Sequence, residues 1–255
     1  MPTKSKEILL IKKQGAACFI SLNRPERHNA LSLELAKLLS QALKKLARDP
    51  KVRVLVLKGS NKAFSAGGDL KFFQQNLDSS HENFLKISKE LNEAVKSIVT
   101  MPKPVIAAIQ GPAYAAGFGL ALSCDLLVAS KKATLSPSFV NIALSGNASS
   151  TYFLPRIIGE KRAREAFLTG KAWTAQEALN LGLVSQVYPE KDFEKSLQKL
   201  VDQLSHAPTQ TLARLKKVLL HTWGNSLATQ LDLERKEIAL SSTSQDFREG
   251  IQAFV

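Results

Sequence analysis

Cysteine is scarce in this chain: Cys18 and Cys124 are the two among 255 residues. They stand too far apart for a CxxC pair or a zinc ligand pair, and two residues build no disulfide framework. Free thiols in a reducing compartment, and a cytoplasmic location, are the expectation. Histidine is sparse as well, at four, and no metal site is expected. A secretory leader is not expected, since MPTKSKEILLIKK sets four apolar residues between lysines, short of the roughly 7–15 that a signal core needs. Charge is absent from Pro104 to Cys124, a stretch near the ~20 residues of a membrane span. Pro104, Gln110, Gly111-Pro112, Gly117 and Gly119 interrupt it, so a buried strand, a turn and a buried helix explain it better, and no membrane is expected.

What is present fits one globular domain: 44% hydrophobic and 22% charged residues. A chain of this length buries roughly 70–75% of its unfolded surface and needs no staple. Thirty-five Lys and Arg against 22 Asp and Glu give a formal charge of +13. Such a field favours anionic partners such as nucleotides or phosphorylated cofactors, although a solvated basic surface explains it equally well. Without an RNP-type aromatic motif, zinc finger or dense basic run, composition argues against nucleic acid.

Short β-prone runs and helical periods alternate along the first three quarters. Glu7–Ile11 and Ala16–Leu22 read as a hairpin around Lys-Lys-Gln-Gly. Ser32–Arg48 reads as a helix capped by Ser32, and Val52–Leu57 as a strand. A helix carrying Phe84, Ile87, Leu91, Val95 and Ile98 precedes a second strand–turn–helix–strand unit: Val105–Ile109, a glycine turn, Ala116–Cys124 and Leu126–Ala129. That order is an α/β pattern with parallel crossovers. Beyond Pro189 the strand signals stop. Four helical segments follow, Phe193–Leu204, Thr209–His221, Ser226–Ser242 and Ser244–Phe254, which divides the chain into a core at 1–195 and a helical oligomerisation region at 196–255.

Two turns join a strand end, small residues and a helix start: Phe64-Ser65-Ala66-Gly67-Gly68-Asp69-Leu70 and Gly111-Pro112-Ala113-Tyr114-Ala115-Ala116-Gly117. Each leaves backbone N–H groups free, and two such donors converging on one oxygen form an oxyanion hole. Tight turns selected for backbone geometry alone are the alternative. With Asn23-Arg24-Pro25, Asn29-Ala30-Leu31, Lys103-Pro104-Val105-Ile106-Ala107-Ala108, Cys124-Asp125, Leu154-Pro155-Arg156, Gly182-Leu183-Val184 and Glu249–Phe254, these turns resemble the enoyl-CoA hydratase/isomerase (crotonase) superfamily along nearly the whole chain. The resemblance implies a crotonase-type spiral of ββα turns with a C-terminal helical trimerisation region. It also implies homotrimers or homohexamers and an acyl-CoA thioester substrate, with coenzyme A entering as part of that substrate and no cofactor tightly bound. It puts the oxyanion donors on the N–H groups of Gly68 and Ala116. The loop Ala66, Gly67, Gly68, Asp69, Leu70 would wrap the CoA arm, and Arg27 and Lys71 are candidate phosphate partners or plain surface cations. Phe72, Phe73, Leu85, Tyr114, Phe139, Ile142 and Leu144 are candidate acyl-pocket residues.

The chain departs from that family where hydratases carry two glutamates, at Gly119 and Phe139. Neither residue exchanges a proton, so hydration by the usual pair is not expected. The segment Phe139–Leu144 is more similar to the Δ3,Δ2-enoyl-CoA isomerase branch, whose single carboxylate aligns with Asn147. An asparagine orients a group by hydrogen bonding but is no base. Replacement bases are sought among Asp69, Tyr114, Asp125, Ser145, His28, His81, His206 and His221. Isomerisation through a thioester enolate is favoured over hydration. The alternatives are decarboxylation of a malonyl-type CoA and a subunit that binds acyl-CoA, or RNA, without chemistry.

Overall fold

The computed structural model describes residues 7–255; residues 1–6, where the reading of the N-terminus began, lie outside them. Two antiparallel strands open the fold, β1 (Leu9–Gln14) and β2 (Ala17–Leu22), with Gln14 opposite Ala17. The strand therefore runs through Lys12-Lys13-Gln14, where the sequence suggested a turn, and the turn contracts to Gly15-Ala16 with Gly15 at φ 58°. β1 is an edge strand, and exposed lysines on an edge discourage further pairing.

α1 (Leu33–Ala47) begins where Ser32 Oγ accepts the Leu35 N–H at 3.2 Å, a cap worth about 1 kcal/mol. β3 (Val54–Gly59), the short α2 (Leu70–Gln74) and α3 (Ser80–Thr100) follow, and α3 turns Ile87, Leu91, Ala94 and Ile98 inward beside α1. The charge-free stretch resolves into β4 (Val105–Ile109), β5 (Pro112–Tyr114) and α4 (Ala116–Leu122). No helix of the described residues is long and apolar enough to cross a membrane. Next come β6 (Leu126–Ser130), β7 (Thr134–Ser136), α5 (Ser150–Ile158), α6 (Glu160–Thr169), β8 (Trp173–Thr174), α7 (Ala175–Asn180) and β9 (Gln186–Tyr188).

The main sheet has the order β1-β2-β3-β4-β6-β9, parallel except for the first pair, and β5-β7-β8 form a second, smaller sheet. The result is the mixed α/β architecture with parallel crossovers that the alternating pattern called for, and the resemblance added its spiral form. Central strands are buried on both faces, and the period of two sorts their side chains between two cores. Leu55, Leu57, Val105, Ala107 and Ile109 face α1, α3 and α4, whereas Val54, Val56, Ile106 and Ala108 face α8 (Glu190–His206). Because Phe193, Leu197 and Val201 of α8 complete that second core, residue 195 falls inside a helix of the body.

α9 (Thr209–His221), α10 (Leu227–Ser241) and α11 (Gln245–Phe254) finish the chain as a helical region. Lys216 ties α9 to the body by donating to the Asp125 carboxylate at 2.7 Å and the Ile98 carbonyl at 2.7 Å. Glu237 of α10 is buried against Lys217, at 2.6 Å, and Arg214, at 3.6 Å. Leu219, Trp223, Leu227, Ile238 and Phe254 remain exposed across this region.

Candidate active site

The loop after β3 is held by two buried polar side chains. Asn29, in the left-handed region at φ 54°, donates through Nδ2 to the carbonyls of Ser60 at 2.9 Å and Ala63 at 2.7 Å, while its Oδ1 accepts the Arg24 N–H. Ser65 Oγ donates to the Asn29 carbonyl at 2.9 Å and accepts the Gly67 N–H at 3.2 Å. The Gly67 carbonyl in turn accepts the Leu31 N–H at 2.7 Å. A trans peptide points its C=O and the next N–H in opposite directions, so fixing the Gly67 oxygen on Leu31 aims the Gly68 N–H away from it. That N–H has no hydrogen-bond partner among the described residues.

A second free donor sits beside it. Ala115, at φ 47° and ψ −119°, donates its own N–H to the Ser136 carbonyl at 2.9 Å, and its carbonyl accepts the Gly119 N–H inside the first turn of α4. The Ala116 N–H therefore points out of the helix start, again without a partner among the described residues. A non-glycine residue in this conformation is strained by roughly 1–3 kcal/mol, a pattern that gathers at functional sites. The two turns touch: a Cβ on Gly67 would lie 2.9 Å from Ala115 Cβ, 3.0 Å from the Tyr114 oxygen and 3.5 Å from the Ala116 nitrogen. With Gly67 at φ 94°, glycine is required there twice over, by conformation and by space.

Phe73 connects this corner to a cleft. It sits 3.6 Å from where a Gly68 side chain would begin and stacks on Phe84 with ring centroids 4.0 Å apart. Phe84 lines a cleft of about 590 Å³ between α3 and the 139–151 segment. His81, Leu85, Ser88 and Asn92 share that face of α3, opposite Phe139, Leu144 and Ser145–Ser149. Asn147 is in the wall, donating from Nδ2 to Ser88 Oγ at 2.9 Å, and its Oδ1 accepts the Ala148 N–H. The same loop explains Gly119. A Cβ there would lie inside contact distance of the Ala148 carbonyl oxygen and 2.9 Å from that of Asn147. Backbone occupies the space a glutamate would need.

Of the candidate acyl-pocket residues, Leu85, Phe139 and Leu144 line the cleft and Phe73 backs Phe84. Tyr114 instead bonds Thr134 at 3.0 Å, and neither it, Phe72 nor Ile142 is among the lining residues. Ser88 and Asn92 were missed, although the spacing of His81, Leu85, Ser88 and Asn92 by four, three and four was there to be read. Around the Gly68 corner, Ala66, Leu70 and Lys71 are exposed, and Arg27 is half-buried with Nη1 enclosed and unpartnered among the described residues.

Most candidate bases are otherwise committed. Asp69 caps α2 through the Phe72 N–H and pairs with Arg24 at 2.6 Å. Burial pushes its carboxyl upward, but the hydrogen bonds from Arg24 and Phe72 with the charges of Arg24 and Arg27 outweigh it and hold the group below the usual range. Asp125 is engaged by Lys216 and the Val105 N–H. His206 and His221 bond carbonyls of their own helices through Nδ1, and His28 lies exposed at the end of a single helical turn. His81 and Ser145 remain in the cleft, and His81 is the one imidazole among its lining residues. No metal-ligating cluster occurs among the described residues.

The chain has counterparts among known proteins. The enoyl-CoA hydratase/isomerase family model matches residues 12–255. The chain is 33% identical to 1,2-epoxyphenylacetyl-CoA isomerase of Escherichia coli (strain K12), over 98% of this chain and 95% of that protein. It is 31% identical to 4-chlorobenzoyl coenzyme A dehalogenase-2 of an Arthrobacter species, over 100% of this chain and 92% of that protein. Among solved structures, an enoyl-CoA hydratase from Polaromonas sp. JS666 superposes with a TM-score of 0.92 at 32% identity, covering 96% of each chain. A match across the whole α/β body and the helical C-terminal region makes this chain a member of the enoyl-CoA hydratase/isomerase family, the crotonase superfamily.

Proposed function

We propose that this protein binds an acyl-CoA thioester and stabilises its enolate through the N–H groups of Gly68 and Ala116, with double-bond isomerisation favoured over hydration. The observation that carries the reading is the pair of adjoining backbone donors, each aimed by a hydrogen bond on the preceding carbonyl and each without a partner among the described residues. As an α-proton leaves, negative charge grows on the thioester oxygen, and fixed donors stabilise that charge without reorganising. Removing one such donor lowers the rate roughly 10²–10³-fold.

Hydration requires two groups that exchange protons, one to activate water and one to protonate the α-carbon. Gly119 and Phe139 supply neither, and no carboxylate lines the cleft among the described residues. Moving a double bond needs a single group that takes a proton from one carbon and returns it to another. His81 is the available candidate, and Asn147 holds the position the isomerase branch gives to a carboxylate.

Coenzyme A enters as part of the substrate rather than as a bound cofactor. Ala66, Gly67, Gly68, Asp69, Leu70 and Lys71 form the loop that would wrap its arm, with Asp69 acting through its pair with Arg24 to fix the loop. Half-buried Arg27 and exposed Lys71 are the candidate phosphate partners beside that loop. Exposed Leu219, Trp223, Leu227, Ile238 and Phe254 support self-association, as a homotrimer or homohexamer, through the helical region.

The test is mass spectrometry of 2-enoyl- and 3-enoyl-CoA after incubation in D₂O with wild type, His81→Gln and Asn147→Asp. Double-bond migration with deuterium uptake is expected, slower in His81→Gln and faster by about 10²-fold or more in Asn147→Asp. An aspartate fits the same contacts, accepting from Ala148 and from the Ser88 hydroxyl. Solvent addition by wild type would overturn the preference for isomerisation. Inertness of wild type and Asn147→Asp alike would leave a binding subunit without chemistry.

A further inference from the structure

The wall that carries Asn147 is a pair of side chains, not a single amide. Asn147 Oδ1 accepts the N–H of Ala148, and this fixes the carboxamide, because the reversed group would set two donors against each other. The other end donates to Ser88 Oγ at 2.9 Å, across from α3. Ser88 Oγ, engaged as an acceptor, donates to nothing among the described residues, and Asn147 Nδ2 keeps a second hydrogen. Both side chains are half-buried in the cleft lining.

The cleft therefore offers two adjoining neutral donors, a hydroxyl and an amide N–H, among the apolar walls of Phe84, Leu85, Phe139 and Leu144. A hydrocarbon chain seated there would leave both donors facing apolar surface, and an unpartnered buried donor is unfavourable. An acceptor oxygen on the chain would satisfy them. A site built to hydrogen-bond a substrate atom discriminates against the analogue that lacks it far better than an apolar pocket discriminates by size.

Resting on the acyl-CoA reading above, we infer that Ser88 and Asn147 together select an acyl group bearing an acceptor oxygen, as hydroxyl, ether or ketone, over a plain hydrocarbon chain. Ser88 is a specificity residue in this account, and Asn147 is its partner in recognition.

Two isosteric pairs of thioesters test it by titration calorimetry: methoxyacetyl-CoA against butyryl-CoA, with oxygen at the third chain position, and 3-methoxypropanoyl-CoA against pentanoyl-CoA, with oxygen at the fourth. In at least one pair the ether is expected to bind wild type about tenfold tighter than its hydrocarbon twin, the effect of two neutral hydrogen bonds. Ser88→Ala should reduce the preference to about threefold or less, and Ser88→Thr should retain it. Alanine is a better helix former than serine, so the variant keeps α3, and butyryl-CoA affinity that stays within about twofold of wild type checks that the cleft is intact. Equal binding within both pairs, or a preference that survives Ser88→Ala, overturns this inference while leaving the acyl-CoA reading in place. Failure of all four thioesters and of free CoA to bind overturns both.

Discussion

Replacing Gly67 with alanine isolates the geometry on which the proposed chemistry depends. The backbone there has φ 94°, and holding an L-residue in left-handed space is unfavourable by roughly 1–2 kcal/mol. The new Cβ would also sit 2.9 Å from Ala115 Cβ and 3.0 Å from the Tyr114 oxygen, closer than the ~3.5–4.0 Å at which carbon atoms attract. Relieving such overpacking costs about 1–3 kcal/mol, so the total loss is about 2–5 kcal/mol. Gly15→Ala is the matched control. Gly15 has φ 58° with nothing within 4 Å of its Cβ position, so that variant keeps the conformational term alone, about 1 kcal/mol after the gain from a stiffer unfolded chain. Urea unfolding at constant m separates the two. The two variants also differ in chemistry. Easing the contact moves the Gly67 turn away from Ala115 and splits the two donors, so deuterium exchange at the thioester α-carbon should fall by about 10²-fold in Gly67→Ala and be unchanged in Gly15→Ala. Equal stability losses, or exchange at the wild-type rate in Gly67→Ala, would refute the reasoning.

Three further outcomes follow from the packing. Asp69→Asn should destabilise the fold by about 3 kcal/mol at pH 7, since it removes one member of a buried ion pair. The folded carboxyl lies below its usual value, so its contribution is complete above the unfolded value of about 4 and is lost as pH falls through the folded one. Midpoints of wild type and Asp69→Asn should therefore converge as pH falls below about 4, and a difference that stays constant on acidification contradicts the assignment. Gly119→Glu should restore no hydratase activity and should destabilise the protein, because the Ala148 and Asn147 carbonyls occupy the space at Cβ; a stable, hydrating variant would count against this packing. Cys18 and Cys124 are free, buried thiols whose ionisation burial opposes, so a thiol reagent should label them no faster than the chain unfolds. Rapid labelling of the native protein would contradict their burial.

Long periodic elements were legible in the sequence. Ser32 marks the start of α1, the Val105–Ile109 strand matches residue for residue, and the four C-terminal helices lie where their breaks place them. The three-residue strand β5 was absorbed into a glycine turn and β7 went unread, because so short a run carries no period, and tertiary contacts alone make them strands. At the candidate site, the glycine-rich turns announced free N–H groups, and the structure brings those turns together. The engagement of Asp69 by Arg24 and the contact between Asn147 and Ser88, 59 positions apart, join residues from separate elements. No local pattern encodes such pairs. Gly119 is the instructive case: its substitution reads in sequence as a lost catalytic group, and in structure as a position where another loop's backbone has moved in.

The central claim is that the Gly68 and Ala116 N–H groups hold a thioester oxygen, and the vibrational frequency of that carbonyl reports it directly. A Raman difference spectrum of an acyl-CoA labelled with ¹³C at the thioester carbon, free and bound to the protein, resolves the C=O stretch. Two donors on the oxygen weaken the bond, so the account predicts a shift to lower wavenumber on binding that largely disappears in Gly67→Ala. A bound thioester whose carbonyl stretch matches that of the free ligand would contradict it.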